Sequence, residues 1–165
     1  MRVYLPATTS VLRVLLDSGA VGPAPLTGFA VTPALREWYL DDDAEALEYA
    51  ALLEAARASL RLIDADPAAA RRRVVLAVEA ADSVVTVHDD LDRGVVRIAQ
   101  PVPMAAVAAV HVDDREAETT IASAAESIIA ADLGDTASQQ QVDDAEGYEL
   151  AWYANQEIRA LLDQL

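Results

Sequence analysis

The chain of 165 residues sets 28 acidic side chains against 12 basic ones, for a net charge of −16 and a pI near 4.2, and it has no cysteine. A field of this sign repels phosphate, which argues against nucleic acid and anionic membrane as partners. The missing thiols exclude disulfides, thiolate nucleophiles and thiolate metal sites together.

One globular domain over residues 1–165 is expected at this length, with about 68–70% of the unfolded surface buried on folding. All 12 bases are Arg, and about a fifth of the residues are Ala. Acidity of this kind fits docking of a basic partner. It reads first, however, as the protein habit of a high-GC genome or of a salt-loving organism.

Residues 2–5 alternate as a strand that stops at Pro6, and no apolar signal-peptide core or membrane-length run is present, so the cytoplasm is the expected compartment. Thr8-Thr9-Ser10 caps a helix carrying Val11, Leu12, Leu15 and Leu16, which Gly19 closes. A Gly22-Pro23-Ala24-Pro25 loop leads to a second strand at 26–31, weakened by Gly28. The intervening stretch is long enough for a parallel crossover, with an antiparallel return as the alternative.

Thr32-Pro33 starts a short helix with Leu35, Trp38 and Tyr39 on one face. Asp41-Asp42-Asp43 interrupts it and recaps a long helix, with Asp42 and Glu45 at capping-box spacing. Leu47, Ala51, Ala55, Ala58 and Leu62 recur along that helix, its many Ala residues allowing close approach to a neighbour, and Asp66-Pro67 ends it.

Arg71-Arg72-Arg73 follows. It reads as charge placed near the helix C-terminus, with a phosphate-binding patch as the alternative. Val-rich runs at 74–78, 84–88, 95–99 and 107–112 each predict a strand. Two of the stretches look alike, each reading strand, turn, strand, His and paired Asp, a likeness that chance explains in so Val- and Asp-rich a chain.

Asp113 and Asp114 then cap a helix ending near Gly134, residues 135–141 read as a mobile loop, and a last helix runs from about 143 to the C-terminus. That last helix carries Leu150, Ala154, Ile158, Leu161 and Leu165 on one stripe. The predicted fold is α/β, with a mixed α+β arrangement as the alternative. It has one mixed sheet of five or six strands, partly parallel, and a C-terminal helix pair.

No constellation names a reaction. GxGxxG, GxxxxGK[ST] and GxSxG are absent, there is no Lys for a Schiff base, and no cofactor is expected. Two sets of residues remain. His88 and His111 each close a strand ahead of aspartates, so imidazole and carboxylate at neighbouring strand ends, with Asp113, could hold a divalent metal or form an acid–base pair. The plain alternative is that these aspartates are turn and cap residues. The second set is the two Trp-Tyr pairs, Trp38-Tyr39 and Trp152-Tyr153, with Glu37, Glu149 and Glu157 nearby. Either they line one ligand pocket with a carboxylate rim, or they fill a gap between the long helix and the last one.

The stretches Met1-Arg2-Val3-Tyr4-Leu5-Pro6-Ala7, Val31-Thr32-Pro33-Ala34-Leu35-Arg36-Glu37-Trp38-Tyr39 and Leu47-Glu48-Tyr49-Ala50-Ala51 together resemble an uncharacterised actinobacterial family, a domain of unknown function. Val110-His111-Val112-Asp113-Asp114 and Leu150-Ala151-Trp152-Tyr153 fit the same pattern. The resemblance implies no activity and carries over no catalytic residue. Two functional expectations follow from the residues. The first is a non-catalytic interaction or regulatory protein, a homodimer, offering an acidic face to a basic protein partner. The alternative is a small-molecule-binding protein or enzyme built on the Trp-Tyr pairs or the His-Asp strand ends.

Overall fold

A computed structural model describes residues 1–39 and 43–165. The strand at Arg2–Ala7 (β1) is the middle of the main sheet. It pairs on one side with Leu26–Phe29 (β3) and on the other with Val74–Glu79 (β4). Beyond β3 lie Val95–Ile98 (β6) and, at the edge, Val85–Val87 (β5). Beyond β4 lie Val107–Val112 (β8) and, at the opposite edge, Ala151–Ala154 (β9). Ala20–Val21 (β2) and Val102–Pro103 (β7) form a separate two-stranded sheet.

The fold is therefore mixed α+β. The main sheet has seven strands rather than five or six, and every described pair is antiparallel, which corrects the expectation of a partly parallel sheet. The link after β1 is long enough for a crossover, but it spends Ala20–Val21 on the small sheet and brings β3 back alongside β1 in the opposite sense. The β3–β4 connection does cross over. Both strands run antiparallel to β1, so they run parallel to one another with β1 between them.

Helices cover both faces. On one face the helix at Thr9–Ser18 (α1) and the one at Ile158–Asp163 (α6) bury Leu12, Leu15, Ile158 and Leu161 against Val3, Leu5, Val74 and Leu76. On the other, the long helix at Ala44–Ala65 (α3) lays Ala51, Ala55 and Ala56 on Tyr4, Val75 and Ala77. A strand covered on both faces needs apolar side chains at successive positions, which is why β4 reads as an unbroken Val-rich run rather than an alternation.

The small residues of α3 do bring it close to the sheet. The buried Ser59 hydroxyl donates to the Ala7 carbonyl at 2.7 Å and accepts from the Val74 N–H at 3.2 Å, tying the helix to the end of the β1–β4 ladder. The buried stripe of α3 is Leu47, Ala51, Ala55, Ser59 and Ile63 rather than one ending in Leu62, which is exposed. The helices at Glu118–Asp132 (α4) and Thr136–Ala145 (α5) stack outside α3 through Leu60, Ile63, Ile121, Ile128 and Val142.

Local capping follows the sequence in several places. Thr8 caps α1, and Gly19 ends it in the left-handed region at φ 82°. Asp43 caps α3 by accepting from the Glu45 N–H at 3.2 Å, whereas Asp42, the expected capping-box residue, lies outside the described residues.

Two C-terminal expectations are corrected. Residues 135–141 are not a loop, because Asp135 accepts from the Ser138 N–H at 2.9 Å and starts α5. The expected single last helix is two elements, with β9 ahead of α6. Gly147 follows the end of α5, and Trp152 and Tyr153 pair with β8, a setting that suits aromatic side chains.

Candidate functional site

Among the described residues, strand β9 has a neighbour on one side only. Its register sets Ala151 opposite Val112, Trp152 opposite His111, Tyr153 opposite Val110 and Ala154 opposite Ala109. Alternation along the pleat sends Tyr153 toward the α1–α6 core and puts Trp152 and His111 together on the face that carries α3. The Asn155 side chain pins the far end of the strand by donating to the Val107 carbonyl at 2.9 Å. Trp152 remains 61% exposed. Exposed acids precede the strand at Asp143, Asp144, Glu146 and Glu149, and Glu157 follows it. His111, flanked by Val75 and Trp152, is half-buried. Burial, with a smaller push from the Arg2 guanidinium, lowers its pKa and favours neutral imidazole.

The other Trp-Tyr pair belongs to a different part of the molecule. The helix at Pro33–Trp38 (α2) begins at Thr32, whose hydroxyl accepts from the Leu35 N–H at 3.3 Å and donates to the Asp89 carboxylate at 2.6 Å. Asp89 also accepts from the N–H groups of Ala34 and Gly94, at 3.2 and 3.0 Å, so it locks the α2 start to the β5–β6 turn. In that turn the Arg93 guanidinium lies 3.6 Å from the Trp38 ring centroid, a cation–π contact. Leu35 is buried, whereas Glu37, Trp38 and Tyr39 are exposed. The two pairs thus stand near opposite edges of the sheet. They neither line one pocket nor fill a gap between helices.

The histidines are also apart. His88 continues β5 at one edge, its N–H donating to the Val95 carbonyl at 2.8 Å, while His111 sits in β8 five strands away. At about 4.8 Å per strand the two are roughly 24 Å apart. His88 has Asp90 3.8 Å from Nδ1.

Asp113 is fully buried, and both of its oxygens are taken by Arg73. The Arg73 Nε and backbone N–H donate to Oδ2 and Nη2 donates to Oδ1, each at 2.8 Å. Among the described residues no group of three or more His, Cys, Asp or Glu side chains is placed to hold a metal ion. The arginine run serves packing throughout. Arg71 donates to the Ile63 carbonyl at the end of α3 at 2.7 Å, as charge near a helix C-terminus should, and Arg72 donates to Glu118 at 2.8 Å.

A hollow lies elsewhere, between the start of α1, the segment from Val21 to Thr27 and the end of α3. Its volume is about 490 Å3. None of the candidate site residues, the Trp-Tyr pairs, the histidines or Asp113, lines it. Its walls come from three separate segments whose Thr-Thr-Ser, Gly-Pro and Asp-Pro signals read only as caps and turns, so no local pattern marks it in advance.

These elements define a class: an antiparallel α+β protein with helices on both faces of a seven-stranded sheet. The chain belongs to a family of unknown function, DUF6912, which matches residues 1–162. No curated protein and no solved structure matches it. No helix among the described residues is long and apolar enough to cross a membrane.

Proposed function

We propose that this protein is a non-catalytic interaction module that holds an extended basic segment of a partner protein along the open edge of β9. The observation that carries this reading is Trp152, 61% exposed on a strand that is paired on one side only. An edge strand leaves about half of its backbone N–H and C=O groups facing outward, and an incoming strand can pair with them.

The charge around the strand selects the occupant. From residue 116 to the C-terminus the only base is Arg159, and the exposed acids before and after β9 favour Arg or Lys side chains on the incoming segment. A guanidinium can also lie on the indole face, as Arg93 does on Trp38. The same acids oppose pairing with a second copy, so the expected homodimer does not use this edge. A cytoplasmic setting, an actinobacterial origin and the exclusion of nucleic acid and membrane partners belong to this reading; the first rests on the missing signal-peptide core and membrane-length run, the second on the family resemblance, and the third on the net charge of −16.

The test is amide chemical-shift mapping of the 15N-labelled chain with an eight-residue peptide of alternating Arg and Val, and with its Glu-Val counterpart. The Arg-Val peptide should shift the amides of residues 151–154 and the Trp152 indole. Binding should weaken as salt rises and be lost in Trp152→Ala. Unmoved β9 amides, or equal binding of the acidic peptide, would overturn the reading.

A further inference from the structure

The hollow beside α1 has a chemistry of its own, independent of the β9 edge. Its apolar walls come from Val11, Val14, Val21, Pro25, Leu26 and Leu62. Val14 and Leu62 are 53% and 39% exposed, large apolar side chains left open to water where a ligand would cover them. The volume of about 490 Å3 falls in the range of about 300–1,000 Å3 usual for small-molecule sites.

The polar groups in the lining are few. Thr8 is buried, and its hydroxyl oxygen accepts from the Val11 N–H at 3.3 Å as the cap of α1. Ser10, Thr27 and Asp66 complete the polar set, and Asp66 is the one ionisable side chain in this lining among the described residues. It stands at the end of α3, where its carboxylate accepts from the Ala68 N–H at 3.0 Å and from the Ser10 hydroxyl. Those hydrogen bonds, the Ser10 one foremost, hold its carboxyl below the usual range. The result is a solvent-facing carboxylate at the border of an apolar cleft, in a chain whose net charge of −16 already repels anions.

We propose that the cleft between α1, the β2–β3 loop and the end of α3 is a binding site for a small organic cation, an apolar body carrying one protonated amine that pairs with Asp66. The apolar walls select the body, and the single carboxylate selects the head. A carboxylate or phosphate on the same body would meet like charge with no basic side chain in the lining to offset it.

Three probes of one shape test this: 2-phenylethylamine, 2-phenylethanol and 3-phenylpropanoate, titrated into the 15N-labelled full chain with amide shifts as the readout. The amine should give saturable shifts at residues 8–14, 21–27 and 62–66, binding about tenfold or more tighter than the alcohol, and the carboxylate should give none. Asp66→Asn should remove the preference of amine over alcohol while leaving the alcohol's binding unchanged. If Asp66→Asn does not fold, Val14→Arg, at an exposed helix position, places a cation at the mouth and should weaken the amine about tenfold or more. Three outcomes would overturn the assignment: no saturable shifts at these amides with the amine, equal binding of amine and carboxylate, or an amine preference that survives the variants. Amine shifts scattered over surface acids with none in the cleft also count against it, since they report only the bulk charge.

Discussion

Arg73 and Asp113 form a closed ion pair at the end of the β4–β8 ladder, one residue beyond the Val74–Val112 pair. Three hydrogen bonds of 2.8 Å run from Arg73 to the carboxylate, and the Asp113 N–H returns one to the Arg73 carbonyl at 3.1 Å. The pair is 3% and 0% exposed, and the free Arg73 Nη2 proton goes to the Tyr148 carbonyl at 2.9 Å, so the same guanidinium holds the chain that leads from α5 into β9. Asp113 therefore supports the β9 edge as well as the core.

Removing one partner of this pair leaves the other charged, buried and unpaired. Asp113→Ala should cost about 3–5 kcal/mol, measured by urea unfolding, and should loosen β9 before the rest of the sheet. Amide exchange at residues 151–154 should accelerate beyond the change in global stability. An Arg73→Met, Asp113→Leu double variant should recover much of the loss, because it removes both charges together. A loss under 1 kcal/mol in the single variant would show that water reaches the pair.

Gly28 is a weak point in β3 by strand preference, and the packing gives it a reason. A Cβ at this position would stand 2.6 Å from the Val3 Cγ1 and 2.9 Å from the Leu5 Cδ2, both on the neighbouring strand β1. Gly28→Ala should therefore destabilise by about 1–3 kcal/mol despite the higher strand preference of alanine. A neutral or stabilising result would mean that β1 shifts to make room.

The acid limb of the stability curve should contain Asp89. Burial alone pushes its carboxyl up, but the Thr32 hydroxyl and the N–H groups of Gly94 and Ala34 outweigh it and hold the group below the usual carboxylate range. With the folded pKa below the unfolded value of about 3.9, its contribution is full above that value and is lost as pH falls through the folded one. Asp89→Ala should cost about 1–2 kcal/mol at pH 7, and the gap from the parent should close toward pH 2. A gap that stays constant with pH would mean that the carboxylate charge contributes nothing.

His111 works in the opposite part of the pH range. Burial and Arg2 lower its pKa, so the unfolded chain takes up a proton at higher pH than the folded one. Stability should be at its fullest above about pH 6.5 and should decline as pH falls from there toward the folded pKa. His111→Gln should flatten the stability profile between pH 7 and 5, and the imidazole ring protons should titrate below the ordinary histidine midpoint. Titration above it would place a carboxylate beside the ring.

How much of this was legible in the sequence depends on the range of the signal. Thr8, Thr32 and Asp43 announce helix starts because a cap acts within three residues, and the Val run of β4 announces a strand because burial on both faces leaves no polar position before Glu79. Strand direction was not legible, since connections of these lengths suit either sense. Strand β9 was hidden by coincidence. Leu150, Ala154, Ile158, Leu161 and Leu165 keep a helical spacing, but the first two belong to the strand region and only Ile158 and Leu161 lie on α6. The cleft beside α1 was invisible because Ser10, Leu26 and Asp66 meet only in three dimensions.

The Trp-Tyr pairs give the most direct check on the surface. Both indoles are open to water, 60% exposed at Trp38 and 61% at Trp152, so acrylamide should quench the fluorescence of each single-tryptophan variant, Trp38→Phe and Trp152→Phe. The two should differ in one respect. Arg93 covers one face of Trp38, so the Trp152→Phe variant, which reports Trp38 alone, should be quenched less, and Arg93→Ala in that background should remove the difference at a cost of about 0.5–1 kcal/mol. Trp152→Ala should change stability by no more than about 0.5 kcal/mol, because it removes a side chain that the fold itself leaves largely uncovered. A larger loss, or blue-shifted and unquenched emission, would mean that the pair packs inward and that the β9 edge is closed to a partner.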